Sequence, residues 1–589
     1  MSRELIFTND NCIGCNQCVR ICRSFGASIS RMQLDKSVVT INSDRCINCG
    51  ACIDVCRHHA RDYHDDTEQF LQDLEHKEKI SVLIAPSFAA KYPEEYKMIL
   101  GKLKALGVCR ILPVSIGADI CTWAYARLLM EEKDGRRIST TCPVVVSFVE
   151  HWMPEMIPRL MPVKSPMMCA AVYFRKELGI TDKMAFIGPC IGKKIEVDKY
   201  PELIQYNVTF PKLIGALRKM PDVEDAPIEE LKAGLGNFYP APGGLADNLR
   251  WLMGDDLPVR VLSGKTYLYQ RLVVNRSNIF TSEAPYTLID ALNCREGCME
   301  GTARLETEDG EDRGLWEMNR IRARSKNMSP SSPWNPLLSS EERWQNLCTQ
   351  FEGLKLEDYL TTFRSQNEAC TVHYPSEEEA EEIYCSMHKE KPEDRQINCS
   401  ACGYSTCREM MIAIHNGFNI RENCVYYEKE EALFLMKMSY SDHLTNVMNR
   451  NALEGRLDLT RAFKDMVGVI AVDVNGLKAV NDTLGHDAGD RLIVETANAL
   501  AHNFGRERVF RVGGDEFLVI LHGFEREEIE DRMIQVKEQL AAIDVFVSMG
   551  LAFSESFKGN IERLRKTADQ RMYEDKERYY SATGKKRRG

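Results

Sequence analysis

Eight cysteines fall in two matched runs near the start of the chain, Cys12-x2-Cys15-x2-Cys18-x3-Cys22 and Cys46-x2-Cys49-x2-Cys52-x3-Cys56. Disulfides would require export, and the first ten residues, Met1 to Asp10, lack the apolar region of a signal peptide. Metal ligation is the better account. Two-residue spacing lets three consecutive thiolates take three corners of one iron–sulfur cube, while the fourth cysteine of each run ligates the other cube. This pairs Cys12, Cys15, Cys18 and Cys56 around one cluster, and Cys46, Cys49, Cys52 and Cys22 around the second. Zinc is the alternative occupant of CxxC pairs.

At 589 residues the chain is too long for one core, and about 150 residues per domain suggests roughly four domains. A net charge of −11 argues against broad nucleic-acid binding, and the basic end Lys585 to Arg588 reads as a solvated tail. No stretch approaches the roughly 18 uninterrupted apolar residues of a spanning helix. The expectation is a cytoplasmic protein with no nucleic-acid or membrane partner.

The two runs resemble a bacterial two-cluster ferredoxin, although Arg23 and Arg57 stand where that family often has proline. A second set is dispersed: Cys142, Cys190, Cys294 and Cys298. Between residues 80 and 310, strand-like apolar runs (Ile80 to Ala85, Val144 to Val149, Lys183 to Ile187) alternate with amphipathic stretches, an α/β pattern. Thr140-Thr141-Cys142-Pro143, Gly188-Pro189-Cys190 through Lys193 to Glu196, and Cys294 to Cys298 are similar to the three cluster-binding motifs of iron-only hydrogenases. Ala85-Pro86-Ser87, Lys164-Ser165-Pro166 and Gly243-Gly244 add to the likeness. The resemblance implies that the four cysteines hold a cubane, that Cys298 bridges to a diiron centre, and that Lys193 meets a ligand of that centre. It also departs from the family. Thr141 stands where catalytic members carry a proton-transferring cysteine, the segment Asp119 to Leu128 offers no glutamate for their relay, and Met299 to Ala303 replaces a glycine triplet. With that relay cut, the region resembles a sensory or degenerate branch, with or without the diiron part. Four core cysteines in an ordinary α/β domain is the plain alternative.

A third set, Cys399-x2-Cys402-x4-Cys407 with Cys424, brings three thiolates round a tight turn at Gly403. The helical segment Arg408 to Asn419 then returns the fourth. It resembles the small [4Fe-4S] domain of corrinoid iron–sulfur proteins, with zinc as the rival. Ser376 to Tyr384 reads as a capped helix start. Cys109, Cys121, Cys169, Cys348, Cys370 and Cys385 have no ligand spacing and read as small buried hydrophobes. Residues 325–336 are the most loop-like stretch by composition.

Near the C-terminus, Arg511 to Phe517 places Gly513 and Gly514 before Asp515 and Glu516, between apolar runs. Two glycines let a backbone approach phosphates, and two acids can hold a divalent metal. Val467 to Val474 reads as a buried strand with Asp473 near its end. With Asp442 to Arg450, Asn475 to Asp482 and Gly485 to Asp490, these motifs resemble the GGDEF family of diguanylate cyclases over about residues 439 to 585. The resemblance implies Mg²⁺ held by Asp473, Glu516 and the Val474 carbonyl. Asp515 shares the metal or activates the hydroxyl. Asn481 and Asp490 read guanine, and Lys478 and Lys576 contact phosphates. Glu577 to Tyr580 replaces the usual Gly-Arg ending, with Arg578 as a substitute. The inhibitory Arg-x-x-Asp site aligns with Phe504 to Glu507 and is absent.

The expected fold is multidomain α/β and α+β. It comprises a ferredoxin-like domain (1–78), an iron-only-hydrogenase-like α/β domain (79–350), a small Fe–S domain (351–427), a signalling helix (428–441) and a GGDEF α/β cyclase domain (442–589). The expected function is synthesis of cyclic di-GMP from two GTP under redox or gas control. A homodimer, four [4Fe-4S] clusters, Mg²⁺ and a redox partner protein go with it. The rival is an electron-transfer or hydrogen-oxidising protein whose GGDEF domain only binds GTP.

Overall fold

A computed structural model describes residues 4–131, 137–229, 234–280, 285–303, 312–459 and 465–583, so the basic end Lys585 to Arg588 lies outside the described residues. The chain divides into two compact units, Met1–Val425 and Tyr426–Gly589. In the first unit, Ile6–Thr8 pairs antiparallel with Arg61–Tyr63, and Ser28–Gln33 forms a hairpin with Lys36–Ile41. Each cysteine run enters a short helix, Gln17–Ile21 or Ala51–Asp54, through a left-handed residue, Asn16 or Gly50.

The α/β body contains two parallel sheets. One has the order Ile111–Pro113, Ile80–Ile84, Lys183–Gly188, Tyr206–Thr209, and the other Val259–Ser263, Leu288–Leu292, Arg137–Ile138. Parallel strands are buried on both faces, and Ile80–Ile84 and Leu288–Leu292 are buried at every residue. The helix Ser115–Glu131 packs against Pro166–Lys176 beside the first sheet.

The run Val144 to Val149, expected as a strand, lies inside the helix Pro143–Trp152. Pro143 presets the first helical φ. Complete burial of Val144, Val145 and Val149 then outweighs their β preference. The helix after the third cysteine set is also shorter than expected, Cys407–His415, because Asn416 caps it and Gly417 follows at φ +69°. Cys109 and Cys385 are exposed rather than buried and Cys348 is half-buried, whereas Cys121, Cys169 and Cys370 are buried. Spacing alone does not separate a surface cysteine from a core one. The loop-like stretch 325–336 is packed against the α/β body: Trp334 is buried, and Trp251 Nε1 donates to the Pro333 carbonyl at 2.9 Å. Ser376 caps Glu377–Ser386 in a full capping box with Glu379.

The second unit is a four-stranded antiparallel sheet in the order Val509–Arg511, Glu516–His522, Val467–Val474, Val547–Ser554. Val467–Val474 is buried throughout, as the sequence pattern predicts. The helix Ile561–Thr583 lies so close to the edge strand that a Cβ at Gly550 would sit 2.1 Å from the Met572 nitrogen. Val425–Tyr440 is helical, with Leu433, Phe434, Leu435, Met436 and Met438 at least half exposed. Among the described residues, no helix is long and apolar enough to cross a membrane.

Candidate nucleotide site and cysteine cradles

The central strand of the second unit sets the nucleotide site. Asp473 stands opposite Glu516 on one side and Ser548 on the other. The turn between Arg511 and Glu516 is closed by Val512 N–H donating to the Glu516 carbonyl at 2.9 Å. Val474 N–H fastens it to the strand through the Asp515 carbonyl at 3.1 Å. Asp473 is nearly enclosed and receives Lys576 Nζ on Oδ1 at 2.5 Å. Glu516 is pushed above its ordinary range by partial desolvation, then by the carboxylates of Asp473, Asp515 and Asp569, with Lys576 opposing. Carboxylates crowded in this way favour a divalent cation, and an all-oxygen donor set suits Mg²⁺.

Asn481, on the helix Leu477–Leu484, presents a buried Oδ1 with no hydrogen-bond partner. A Cβ at Gly489 would lie 1.8 Å from that oxygen, so only glycine leaves it room. An unpaired buried acceptor is costly, and the N–H edge of a purine would satisfy it. Asp490 and Lys478 are exposed. Arg511 carries no role in the sequence reading, yet it bridges the site: Nη1 reaches Asp442 Oδ1 at 3.0 Å and Nη2 donates to the Gly514 carbonyl at 2.8 Å. Asp442 is itself desolvated, but hydrogen bonds from Thr445 and Arg511 hold its carboxyl below the ordinary range. The one signal for Arg511 is its place directly before the glycine turn.

In the ferredoxin-like segment, left-handed Gly14, Asn16, Asn48 and Gly50 turn the backbone around the thiols. Amides of Val39, Asn48 and Ala60 donate to the sulfurs of Cys12, Cys46 and Cys56 at 3.5, 3.4 and 3.3 Å. Burial pushes the Cys22 and Cys46 thiols up to about 12. Iron ligation is what would draw such thiols into the thiolate form. Cys46 and Cys52 both feel Cys22, whereas Cys18 feels Cys12 and Cys15. The fourth cysteine of the first run therefore stands with the first three of the second. Arg61 Nη2 donates to Cys18 Sγ at 3.3 Å.

The second set is assembled at the carboxyl ends of parallel strands, where open α/β sheets bind ligands. Cys142 follows Arg137–Ile138, Cys190 follows Lys183–Gly188, and Cys294 and Cys298 follow Leu288–Leu292. Cys298 is pushed up to about 12 by burial, then by Cys190 and Cys142, with Lys193 opposing, which places the set together. Buried Lys193 donates to Glu196 Oε2 at 2.6 Å, and Ser165 Oγ donates to the same oxygen at 2.9 Å. Ser87 Oγ and Thr141 Oγ1 are buried without partners. In the segment Asp119 to Leu128, Asp119 accepts Gly234 and Gly236 amides, and Tyr125 Oη accepts the Thr140 amide at 2.7 Å. Asn293 Nδ2 joins the second set to the ferredoxin runs, reaching Cys294 Sγ at 3.5 Å and the Cys49 carbonyl at 3.2 Å.

Cys399, Cys402, Cys407 and Cys424 line one cavity together with Met387, Lys389, Asn398 and Tyr404. Cys407 begins a helix whose Thr406–Glu409 capping box is complete, and its N–H donates to Asn398 Oδ1 at 2.8 Å. Gly403, at φ +96°, packs against Val19 of the ferredoxin-like segment. Four thiols around one cavity fit a cubane. Among the described residues, no three His, Cys, Asp or Glu side chains gather around one point as ligands of a single ion would. Thiols around a cube stand farther apart than that, and the nucleotide site would offer two carboxylates and a carbonyl.

Four family models match the chain. They are the 4Fe-4S dicluster domain over residues 11–60, the C-terminal domain of the iron only hydrogenase large subunit over 78–259, an Fe-S cluster family over 396–426, and the diguanylate cyclase GGDEF domain over 439–581. Among curated proteins, "Probable diguanylate cyclase DgcI" of Escherichia coli (strain K12) is 32% identical over 142 residues, 23% of this chain and 31% of that protein. "Cyclic di-GMP phosphodiesterase PdeR" of the same organism is 30% identical over 151 residues, 24% of this chain and 23% of that protein. The chain thus spans a third or less of the length of these relatives. Two solved structures are similar. One is the coiled coil and GGDEF domain of DgcB from Caulobacter crescentus with c-di-GMP (23% identity, TM-score 0.24, 26% of this chain and 88% of that one). The other is an [FeFe]-hydrogenase HydA1 variant from Chlamydomonas reinhardtii (16%, TM-score 0.36, 52% and 100%). The chain carries segments that match iron–sulfur families, within mixed α/β and α+β domains. It joins ferredoxin-type and iron-only-hydrogenase-like cluster domains to a GGDEF domain.

Proposed function

We propose that the chain is a cytoplasmic, redox- or gas-responsive diguanylate cyclase that acts as a homodimer. The observation that carries this reading is the facing pair Asp473 and Glu516, with Lys576 on Asp473 and the unpaired Asn481 oxygen on the helix that follows. In the reaction, the 3′-hydroxyl of one GTP attacks the α-phosphate of another and pyrophosphate leaves. The event occurs twice, across two copies of the site. Mg²⁺ on Asp473, Glu516 and the Val474 carbonyl would neutralise the phosphates. Lys576, which pairs with Asp473 in this structure, would be free to meet phosphate if a cation took its place on that carboxylate. Asn481 and Asp490 take the guanine edge, Gly513 and Gly514 admit the phosphates, and Asp515 stands beside the attacking hydroxyl. Lys478 and Arg578 supply exposed cations.

The four cysteine groups hold [4Fe-4S] clusters that receive the signal, with an electron-carrier protein as redox partner. The apolar residues exposed on Val425–Tyr440 suit the same helix of a second copy. Domain bounds at 78, 350, 427 and 441 belong to this proposal. Buried Lys193, with partnerless Ser87 and Thr141 hydroxyls, favours a second reading of the α/β body as a hydrogen-reacting centre.

The deciding experiment is GTP turnover by anaerobically purified protein, reduced and oxidised. Cyclic di-GMP formation that differs between the two states is expected. No product in either state would leave a GTP-binding scaffold instead.

A further inference from the structure

Lys389 is among the most completely enclosed side chains of the molecule, only 1% exposed. Burying an ammonium costs several kcal/mol unless charge or hydrogen bonds offset it, so such a placement needs a reason. The local structure forces it inward. After the helix Glu377–Ser386, His388 takes a left-handed φ of +57°, and Lys389 N–H folds back onto the Tyr384 carbonyl at 2.8 Å. Arg395 then staples the loop: Nε donates to the Lys389 carbonyl at 2.9 Å, while Nη1 and Nη2 grip the Glu381 carboxylate at 2.8 and 2.6 Å. The guanidinium also lies 4.8 Å from the centre of the Tyr384 ring. Held this way, Lys389 Nζ donates to the Asp394 carbonyl at 2.7 Å, and the residue lines the cavity shared by Cys399, Cys402, Cys407 and Cys424.

We propose that Lys389 is a built-in counter-cation of the third cysteine set, a positioning residue that holds a cluster bound there at a higher midpoint potential than the four cysteines would alone. The inference rests on the reading that this set carries an iron–sulfur cluster. Four thiolates make such a cluster anionic, and reduction adds one electron and no proton, the electron coming from a low-potential one-electron donor. A fixed positive charge in a low-dielectric wall stabilises the more negative, reduced state. The N-terminus of the helix Cys407–His415 acts in the same sense on Cys407. No sequence motif marks Lys389, which lies ten residues before Cys399.

The test is an electron-paramagnetic-resonance redox titration of the full-length protein with dithionite. The third cluster is recognised as the signal lost in Cys407→Ser. Lys389→Met and Lys389→Gln are each expected to keep the iron and to shift the reduced-to-oxidised ratio of that signal at least tenfold toward oxidised at fixed solution potential, about 59 mV for one electron. Lys389→Arg should shift it by much less. An unchanged potential in the Met and Gln variants with iron intact would overturn the inference and leave the cluster reading standing, as would loss of the cluster in both, which marks a merely structural lysine. Stoichiometric zinc in this set would overturn the cluster reading itself.

Discussion

The two units handle charge in opposite ways. In Met1–Val425, Asp119, Asp290, Lys193 and Lys389 are sealed inside, each less than a tenth exposed. In Tyr426–Gly589, Glu516, Asp490 and Lys478 are exposed, and Asp473 is the enclosed exception, tied to Lys576. Enclosed charges suit a resident cofactor, because desolvation strengthens every interaction with it and no exchange is needed. Exposed ones suit a ligand that must come and go with each turnover. The contrast is what the proposed function would require, with metal clusters kept in one unit and a nucleotide exchanged at the other.

The largest effect should come from breaking the enclosed corner of the open unit. Asp473→Asn or Glu516→Gln removes metal charge from the transferring phosphate, and cyclic di-GMP formation should fall about 1,000-fold, roughly 4 kcal/mol in barrier. Iron content should not change. Product assay beside iron analysis checks both halves, and a parallel loss of iron would show that the two units are not chemically separate.

Next is the converse. Cys407→Ser should remove one cluster, about four of roughly sixteen irons, and spare the ferredoxin-type pair. Iron analysis and the cluster spectrum decide it. A variant that loses all its iron would mean the third cradle supports the other two.

Much of this arrangement is legible in the sequence. The doubled cysteine spacing, the glycine turn and the acid near the end of an apolar strand each specify local geometry through near neighbours, and Asp473 does face Glu516 across adjacent strands. Val144 to Val149 misleads because β-branched residues carry only a weak preference, which Pro143 and full burial outweigh. Lys389, Asn293 and Arg45 are not legible at all. Arg45 donates to the carbonyls of Ala369, Cys370 and Thr371, more than 300 positions away, and its guanidinium lies 4.6 Å from the Phe418 ring centre. Contacts of that span leave no periodicity or spacing in a sequence.

Arg511 sharpens the comparison within the open unit, since it ties Asp442 to the signature turn without contacting the proposed metal ligands in the hydrogen bonds described. Arg511→Ala should lower turnover about thirtyfold, roughly 2 kcal/mol, through loss of charge-assisted hydrogen bonds. Arg511→Lys should recover part of it, because a lysine cannot span both acceptors. Equal GTP binding by wild type and Arg511→Ala, with reduced kcat, would place the effect on the turn rather than on affinity.

The smallest expected effect tests the enclosed unit by pH. Burial pushes Asp119 up to about 7, against two backbone amides from Gly234 and Gly236 that pull the other way. A carboxyl raised in the folded state above its ordinary 3.8 favours the protonated fold. Its contribution is intact below the unfolded value and is lost progressively as pH rises toward the folded one. Between pH 6 and pH 8 that loss is about 1 kcal/mol, because above pH 7 both states are ionised and the penalty levels off. Asp119→Asn removes the titration. Its iron–sulfur absorbance should bleach at a denaturant midpoint that is nearly flat over this window, whereas the wild-type midpoint falls. At pH 6 the variant should be slightly the weaker of the two, since an amide NH2 replaces one accepting oxygen and leaves a glycine N–H poorly satisfied. Parallel pH slopes for the two proteins would mean that Asp119 is already ionised in the fold throughout this window, and that the enclosed unit answers pH through some other buried acid, with Asp290, pushed up to about 6, as the next to replace.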